Sequence, residues 1–438
     1  MRNRYLDLLR FLAIVRVVVY HVTGWASLTL LFPAMSVMFA LAGSLMAASL
    51  HRSGPTAVGR RLRRLLPSLW VVAAIFVPAM LLTGLPLTPK VLLWLFPVSD
   101  PPANYWGALA LSPIWYLRDY LWFVLASPVA LWLFRRFPLP TLLAPYCLLL
   151  AIEMGIYPNA PGVLREFGLY FGAWLLGFAH QAGMLRRLAN RVLVPIVLAL
   201  AAIGGAWILA HPGPRGYDLN DNQLGNALWS AAFILLALGR APSSAGWVDR
   251  NALFGRVVTV LNRRALTVYL WHMAFVVALT PLVDVVGWSH QDLLGLAIRI
   301  VLVFLLLGVV TALFGWVEDV AAQRPPELIP GGRRPAVSPP RPASVSAEGR
   351  ARAEPAAPSG SPSGPGRSGD EYPSGAGGSG DEFPAGAGRP GDAQPVGAGR
   401  SAGARPAGTG RPSAGRAAER REDAVPGQRG RGGGVSAR

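Results

Sequence analysis

Apolar residues fill ten blocks of membrane-spanning length between residues 5 and 318, near 5–26, 31–50, 67–86, 112–134, 139–157, 162–182, 192–211, 223–239, 263–286 and 291–318. About 20 mainly apolar residues in a helix cross the hydrocarbon layer. The pattern therefore predicts an all-α polytopic membrane bundle of about ten transmembrane helices. The apolar run over 90–98 is too short to cross and reads as interfacial or re-entrant.

Short polar segments between the blocks test this layout. With the N-terminus inside, alternate segments carry seventeen arginines, among them Arg2, Arg4, Arg60, Arg61, Arg63, Arg64, Arg135, Arg136, Arg263 and Arg264, while the other side holds Lys90, Arg165 and Arg215. That asymmetry follows the positive-inside rule and puts both termini in the cytoplasm. A plasma-membrane location is the expectation. Asp7, Arg10 and Arg16 interrupt the first block, so it reads as a retained span rather than a cleaved signal peptide.

Composition agrees: of 438 residues, 52% are apolar and only 15% charged, below the roughly 25% of soluble chains. The net charge of +18 resides in arginines that punctuate apolar runs, which argues against a nucleic-acid-binding face. A single cysteine, Cys147, excludes an intrachain disulfide and a cysteine-type zinc site, and no metal is expected.

The pattern ends near Arg324, dividing a membrane domain, 1–323, from a tail, 324–438. The tail has eight Leu, Ile, Val or Phe among 115 residues and is expected to be disordered. Within it an eleven-residue repeat starts at Gly369, Gly380, Gly391 and, in degraded form, Ala402. No copy has an apolar face to stack, which excludes a solenoid.

Ionisable residues inside the blocks carry the candidate chemistry. Arg10 and His21 are eleven positions apart, which on a helix returns to within about 20° of the same direction after a rise of ~16 Å. A charged side chain at the centre of a span costs ~2.5–3.5 kcal/mol, so such groups face a bundle interior or a wet cavity. Arg118 and Asp119 in the fourth block, Glu153 in the fifth, Glu166 in the sixth, His272 in the ninth and Arg299 in the tenth suggest a shared polar cavity. The cluster RRLRRLLP, Arg60 to Pro67, reads as a loop suited to phosphate, because guanidinium groups bind phosphate oxygens bidentately. No Gly-rich phosphate loop, zinc pattern or nucleophile elbow is visible, which weakens NTP-driven and hydrolase readings.

Arg10 followed by His21, MFALAGSLM from Met38 with Gly43, the basic segment ending in Pro67, WYLRDYLWF from Trp115 and NRRALTVYLWH ending in His272 occur in that order. Together they resemble the acyltransferase 3 family of membrane O-acyltransferases over roughly residues 5–320. Ala42 stands where the family usually has serine. The resemblance implies transfer of an acyl group, commonly acetyl, from acyl-CoA to a hydroxyl of a carbohydrate or glycolipid. On that reading His21 is the base or carries the acyl group as an acyl-histidine, Arg10 holds the donor, and Arg60, Arg61 and Arg64 attract its phosphates. Asp119 is a candidate for orienting His21, with Arg118, His272 and Tyr269 in support. Membrane lipids are the other expected partners. The rival class is a multi-pass transporter or exporter whose buried charges line a substrate path.

Overall fold

The computed structural model describes residues 3–242, 245–286, 292–328 and 330. These form an all-helical bundle with no β-strand among the described residues. The chain divides into a unit Met1–Pro342 and a second unit, Ala343–Arg438; the second, with the repeats and nearly all of the expected disordered tail, lies outside the described residues.

Each of the ten apolar blocks coincides with a helix: α1 Arg4–Thr23, α2 Ala34–Ser53, α3 Thr56–Leu82, α4 Ile114–Arg136, α5 Pro138–Glu153, α6 Gly162–Gln181, α7 Asn190–Ala210, α8 Gln223–Gly239, α9 Ala265–Val286 and α10 Leu293–Phe314. By length and apolarity alone, five of them, α2, α3, α4, α7 and α10, qualify as membrane-crossing among the described residues. The run over 90–98 contributes a short 3-10 helix, Pro89–Trp94, and a further short helix, Tyr105–Ala110, leads into α4.

One boundary differs from the sequence reading. The basic segment Arg60–Pro67 is not a loop, because α3 starts at Thr56 and runs through Pro67. Four arginines interleaved with leucines are good helix formers, and the apolar side of this stretch packs on the bundle through Leu62, Leu65 and Leu66. Helical periodicity then sends the arginines in different directions, whereas a loop would have imposed none.

α1 holds the centre. The Asn3 side chain caps its start by accepting from the Tyr5 N–H at 3.0 Å, and Gly24, at φ 68°, ends it in the left-handed region that favours glycine. Leu9, Ala13 and Val17 join a cluster built with α2, α4, α6 and α8. Ile14, Val18 and Val22 join a second, built with α3, α4, α9 and α10. With apolar packing on both flanks, the polar side chains of α1 are left to the gaps between neighbouring helices.

α2 and α6 form the most extensive helix pair. Small residues let their backbones approach: a Cβ on Gly43 would lie 2.2 Å from the Trp174 carbonyl oxygen, and one on Gly177 would lie 2.1 Å from that of Ala40. Neither backbone atom can swing aside, so a methyl group must push the helices apart. Gly43→Ala or Gly177→Ala should cost about 1–3 kcal/mol, the range for an overpacked core. Thermal unfolding of the detergent-solubilised protein measures this; an unchanged midpoint would mean that the contact is looser than described.

Candidate active site

Two cavities open from opposite ends of the bundle and share Tyr269 as a wall. The first lies at the end that carries the α3 arginines. Arg10 lines it with Arg61, Arg64, Met38, Ala42, Tyr116, Tyr120, Asn262 and Glu318. Arg61 and Arg64, three positions apart, share one face of α3. Arg60 points elsewhere: it donates to the Ser53 hydroxyl and to Thr56 Oγ1, and it does not line the cavity. Arg63 donates to Gln323 Oε1 at 3.0 Å. Arg10 itself makes no hydrogen bond or ion pair among the described residues, and its guanidinium is not sealed from the cavity. Ala42, where a serine was expected from the family pattern, adds no hydroxyl to the wall.

The second cavity, at the far end, is lined by His21, Arg16, Tyr20, Ser112, Trp115, Glu166, Tyr170, Arg215, Asn220, Gln223 and Tyr269. Arg10 and His21 thus face different cavities along the same helix. Between them lies an aromatic layer: Tyr116 and Tyr269 have ring centroids 4.9 Å apart, Phe39 and Tyr116 4.6 Å, and Phe39 and Tyr170 5.1 Å.

The His21 ring is oriented by histidine, not by carboxylate. Its Nδ1 lies 2.9 Å from the Val17 carbonyl oxygen and 3.2 Å from Nε2 of His272, whose Nδ1 lies 2.6 Å from the Tyr269 carbonyl oxygen. A carbonyl only accepts, so both Nδ1 atoms carry hydrogen. In the neutral pair, His272 Nε2 is then an acceptor for His21 Nδ1–H, and His21 Nε2 keeps its lone pair. That Nε2 has no hydrogen-bond partner among the described residues and is not sealed from the cavity. His272 is fully buried, so its ring can serve only through His21 or by packing.

Asp119, the expected carboxylate partner, is occupied elsewhere. Its Oδ1 accepts from Nε and Nη2 of buried Arg118 at 3.1 and 3.0 Å. Arg118 also donates to Glu166 and, at 2.5 Å, to Asp100 Oδ1, so it ties α4 to α6 and to the preceding loop. The expected shared cavity of charges accordingly resolves into separate groups. Glu166 alone of the acidic set reaches the His21 cavity, Glu153 pairs with Arg165 at 3.9 Å, and Arg299 is buried in α10.

Other residues of the far cavity carried no sequence signal as a site. Tyr20 donates to Asp218 Oδ2 at 2.5 Å and accepts from Arg215 Nη1 at 2.8 Å, across some 200 positions of chain. Arg215 also binds Asp221, and that hydrogen-bonded pairing holds the Asp221 carboxyl below the usual carboxylate range. Trp115 stacks on Tyr170 with centroids 5.3 Å apart. Among the described residues no group of three or more His, Cys, Asp or Glu side chains is arranged to hold a metal ion.

A helical membrane bundle with cation-lined and histidine-lined cavities at its two ends has the makings of a membrane acyltransferase. Residues 3–317 match the family described as an acyltransferase domain, acyltransferase 3, and the chain belongs to that family. No curated protein and no solved structure matches the chain.

The Arg118 cluster yields a stability test. Arg118→Met leaves the buried Asp119 carboxylate beside Glu166 without its cation, and breaking such a pair typically costs about 3–5 kcal/mol. The folded fraction after detergent extraction should fall sharply, and adding Asp119→Asn should restore much of it. No recovery in the double variant would mean that Arg118 contributes by packing rather than by charge.

Proposed function

We propose that the protein transfers an acyl group, most simply acetyl, from acyl-CoA to a hydroxyl of a carbohydrate or glycolipid at the plasma membrane. The observation that carries this reading is the pair of cavities meeting at Tyr269, one offering three arginines that make no ion pair among the described residues and the other an imidazole with a free lone pair. The basic end faces the cytoplasm, where acyl-CoA is made.

Arg61 and Arg64 take the CoA phosphates, for which a guanidinium fork is matched. Arg10, deeper along α1, holds the donor arm so that its thioester reaches the aromatic wall. On the far side the acceptor hydroxyl donates to His21 Nε2. As its oxygen attacks the thioester carbonyl carbon, the proton moves to Nε2, because a hydroxyl is a poor nucleophile until it loses that proton. The resulting imidazolium donates more strongly through Nδ1–H to His272 Nε2, which here does the work a carboxylate does in a serine triad. The Tyr269 hydroxyl, which makes no hydrogen bond to the described protein, supplies a donor to the oxyanion. When the carbon–sulfur bond breaks, the thiolate takes the proton back from His21, and ester and CoA leave on opposite sides. Arg118 and Asp119 support this indirectly by fixing Glu166 and α6.

Purified protein in lipid nanodiscs, given acetyl-CoA labelled in the acetyl group and hydroxyl acceptors, tests the reaction directly. His21→Ala should abolish transfer with the fold intact, and His272→Ala should lower kcat by ~10²-fold or more with KM for the donor nearly unchanged. Full turnover by His21→Ala would remove the proposed base. Transport of acceptor without ester formation would favour the exporter reading.

The arginines give a second, graded test. Arg61→Ala and Arg64→Ala should each raise KM for acetyl-CoA by about tenfold, equivalent to ~1.4 kcal/mol, whereas Arg60→Ala should change it little. An equal effect at all three positions would point to general attraction by positive charge rather than to two residues in the donor cavity.

A further inference from the structure

Arg16 belongs to no part of the mechanism above, yet it lines the same cavity as His21. Its Nε donates to the Leu28 carbonyl oxygen at 3.0 Å, and its guanidinium lies over the Tyr20 ring, 5.0 Å from the centroid. Tyr20 is itself fixed by Asp218, Arg215 and Asn220. The two terminal nitrogens of Arg16 therefore form a held fork. Neither makes a hydrogen bond or ion pair among the described residues, and neither is sealed from the cavity.

The other charged groups lining this cavity are accounted for. Glu166 is bound by Arg118, and Arg215 by Asp221 and Tyr20. Arg16 is the remaining cation, partly buried in a helix that crosses the bundle, where an unpaired charge costs several kcal/mol unless an anion meets it. A planar fork with two free N–H directions matches the oxygens of a carboxylate or a phosphate. Arg16 and His21 are five positions apart, a rise of ~7.5 Å and a turn of about 140° on the helix, yet both line this cavity. The axial offset is the scale of one sugar ring, and the stacked Trp115 and Tyr170 supply an aromatic face beside it.

We propose that Arg16 is an anion-binding site of the acceptor cavity, and that the acceptor carries a carboxylate or phosphate within one ring's length of the hydroxyl it presents to His21. This rests on the acyl-transfer reading for the role of the cavity, but the anion site itself does not depend on turnover. Bound there, the anion neutralises the guanidinium, fixes the ring on the aromatic face and sets which hydroxyl meets Nε2.

The test uses three probes with one sugar ring: methyl β-glucoside, methyl β-glucuronide and methyl β-glucoside 6-phosphate. Binding to the full-length protein in nanodiscs, with no donor present, is read by calorimetry and by the shift of the unfolding midpoint. At least one anionic probe should bind tenfold or more tightly than the neutral one, and the two anionic arms tell carboxylate from phosphate. Arg16→Gln, whose amide can still donate to the Leu28 carbonyl, should bring the affinities of neutral and anionic probes together. Arg16→Lys, which keeps the charge and loses the fork, should retain part of the preference. Equal binding of all three probes by the unaltered protein overturns the proposal, as does a preference that survives Arg16→Gln. Acetyl transfer is then measured on the same samples. Anion-selective binding without any ester formation would sink the acyltransferase reading and leave the anion site standing.

Discussion

The cost of placing charge inside a low-dielectric bundle governs this structure. A guanidinium cannot give up its proton in a protein, so each buried arginine needs an anion, a set of carbonyl oxygens or a wet cavity. The protein uses these solutions in different places. Arg118 is surrounded by Asp119, Glu166 and Asp100. Arg264, with no exposed surface, reaches Asp319 at 2.6 Å and the Gly315 and Glu327 carbonyl oxygens. Both are ion-paired ties between segments, although the buried Nε of Arg264 has no hydrogen-bond partner among the described residues. Among the described residues Arg10 has neither an anion nor a carbonyl oxygen, and Arg16 has only the Leu28 carbonyl oxygen on its Nε; both open to cavities, and that difference sets them apart from the arginines that hold the fold.

α1 makes the division possible. Because its apolar residues are shared between two packing clusters, the helix is packed on two flanks, with Leu12 exposed between them, and its polar side chains reach the gaps between neighbouring helices. Arg10 holds one gap open toward the basic end, and Arg16 and His21 hold the other toward the far end. The aromatic layer of Phe39, Tyr116, Tyr170 and Tyr269 lies at the level between them. The rings pack closely at that level, and Tyr269 borders both cavities.

Histidine in place of carboxylate beside His21 also follows from depth. A carboxylate at the His272 position would add a buried charge and pay its desolvation, whereas a neutral imidazole fixed by the Tyr269 carbonyl offers a lone pair at no such cost. The carboxylates of this end sit instead around Arg118, where their charge is compensated.

Much of the architecture was legible in the chain itself. The approximate positions of the ten main helices follow from runs of apolar residues, five of them long and apolar enough to cross a membrane among the described residues. The shared direction of Arg10 and His21 follows from helical periodicity, and Gly43 and the basic cluster stand out as motifs. Local sequence could not decide what depends on neighbours far along the chain. It gave RRLRRLLP no helical register, and so could not separate Arg61 and Arg64 from Arg60. It offered Asp119 as the partner of His21, although Asp119 is claimed by Arg118 one residue away while His272 arrives from 251 positions distant. It showed Arg16 only as a break in an apolar run, because whether a buried cation is paired is settled by which helices pack around it. Periodicity is a property of one segment and can be read from it; the pairing of charges is a property of the assembled bundle, and only the tertiary structure decides it.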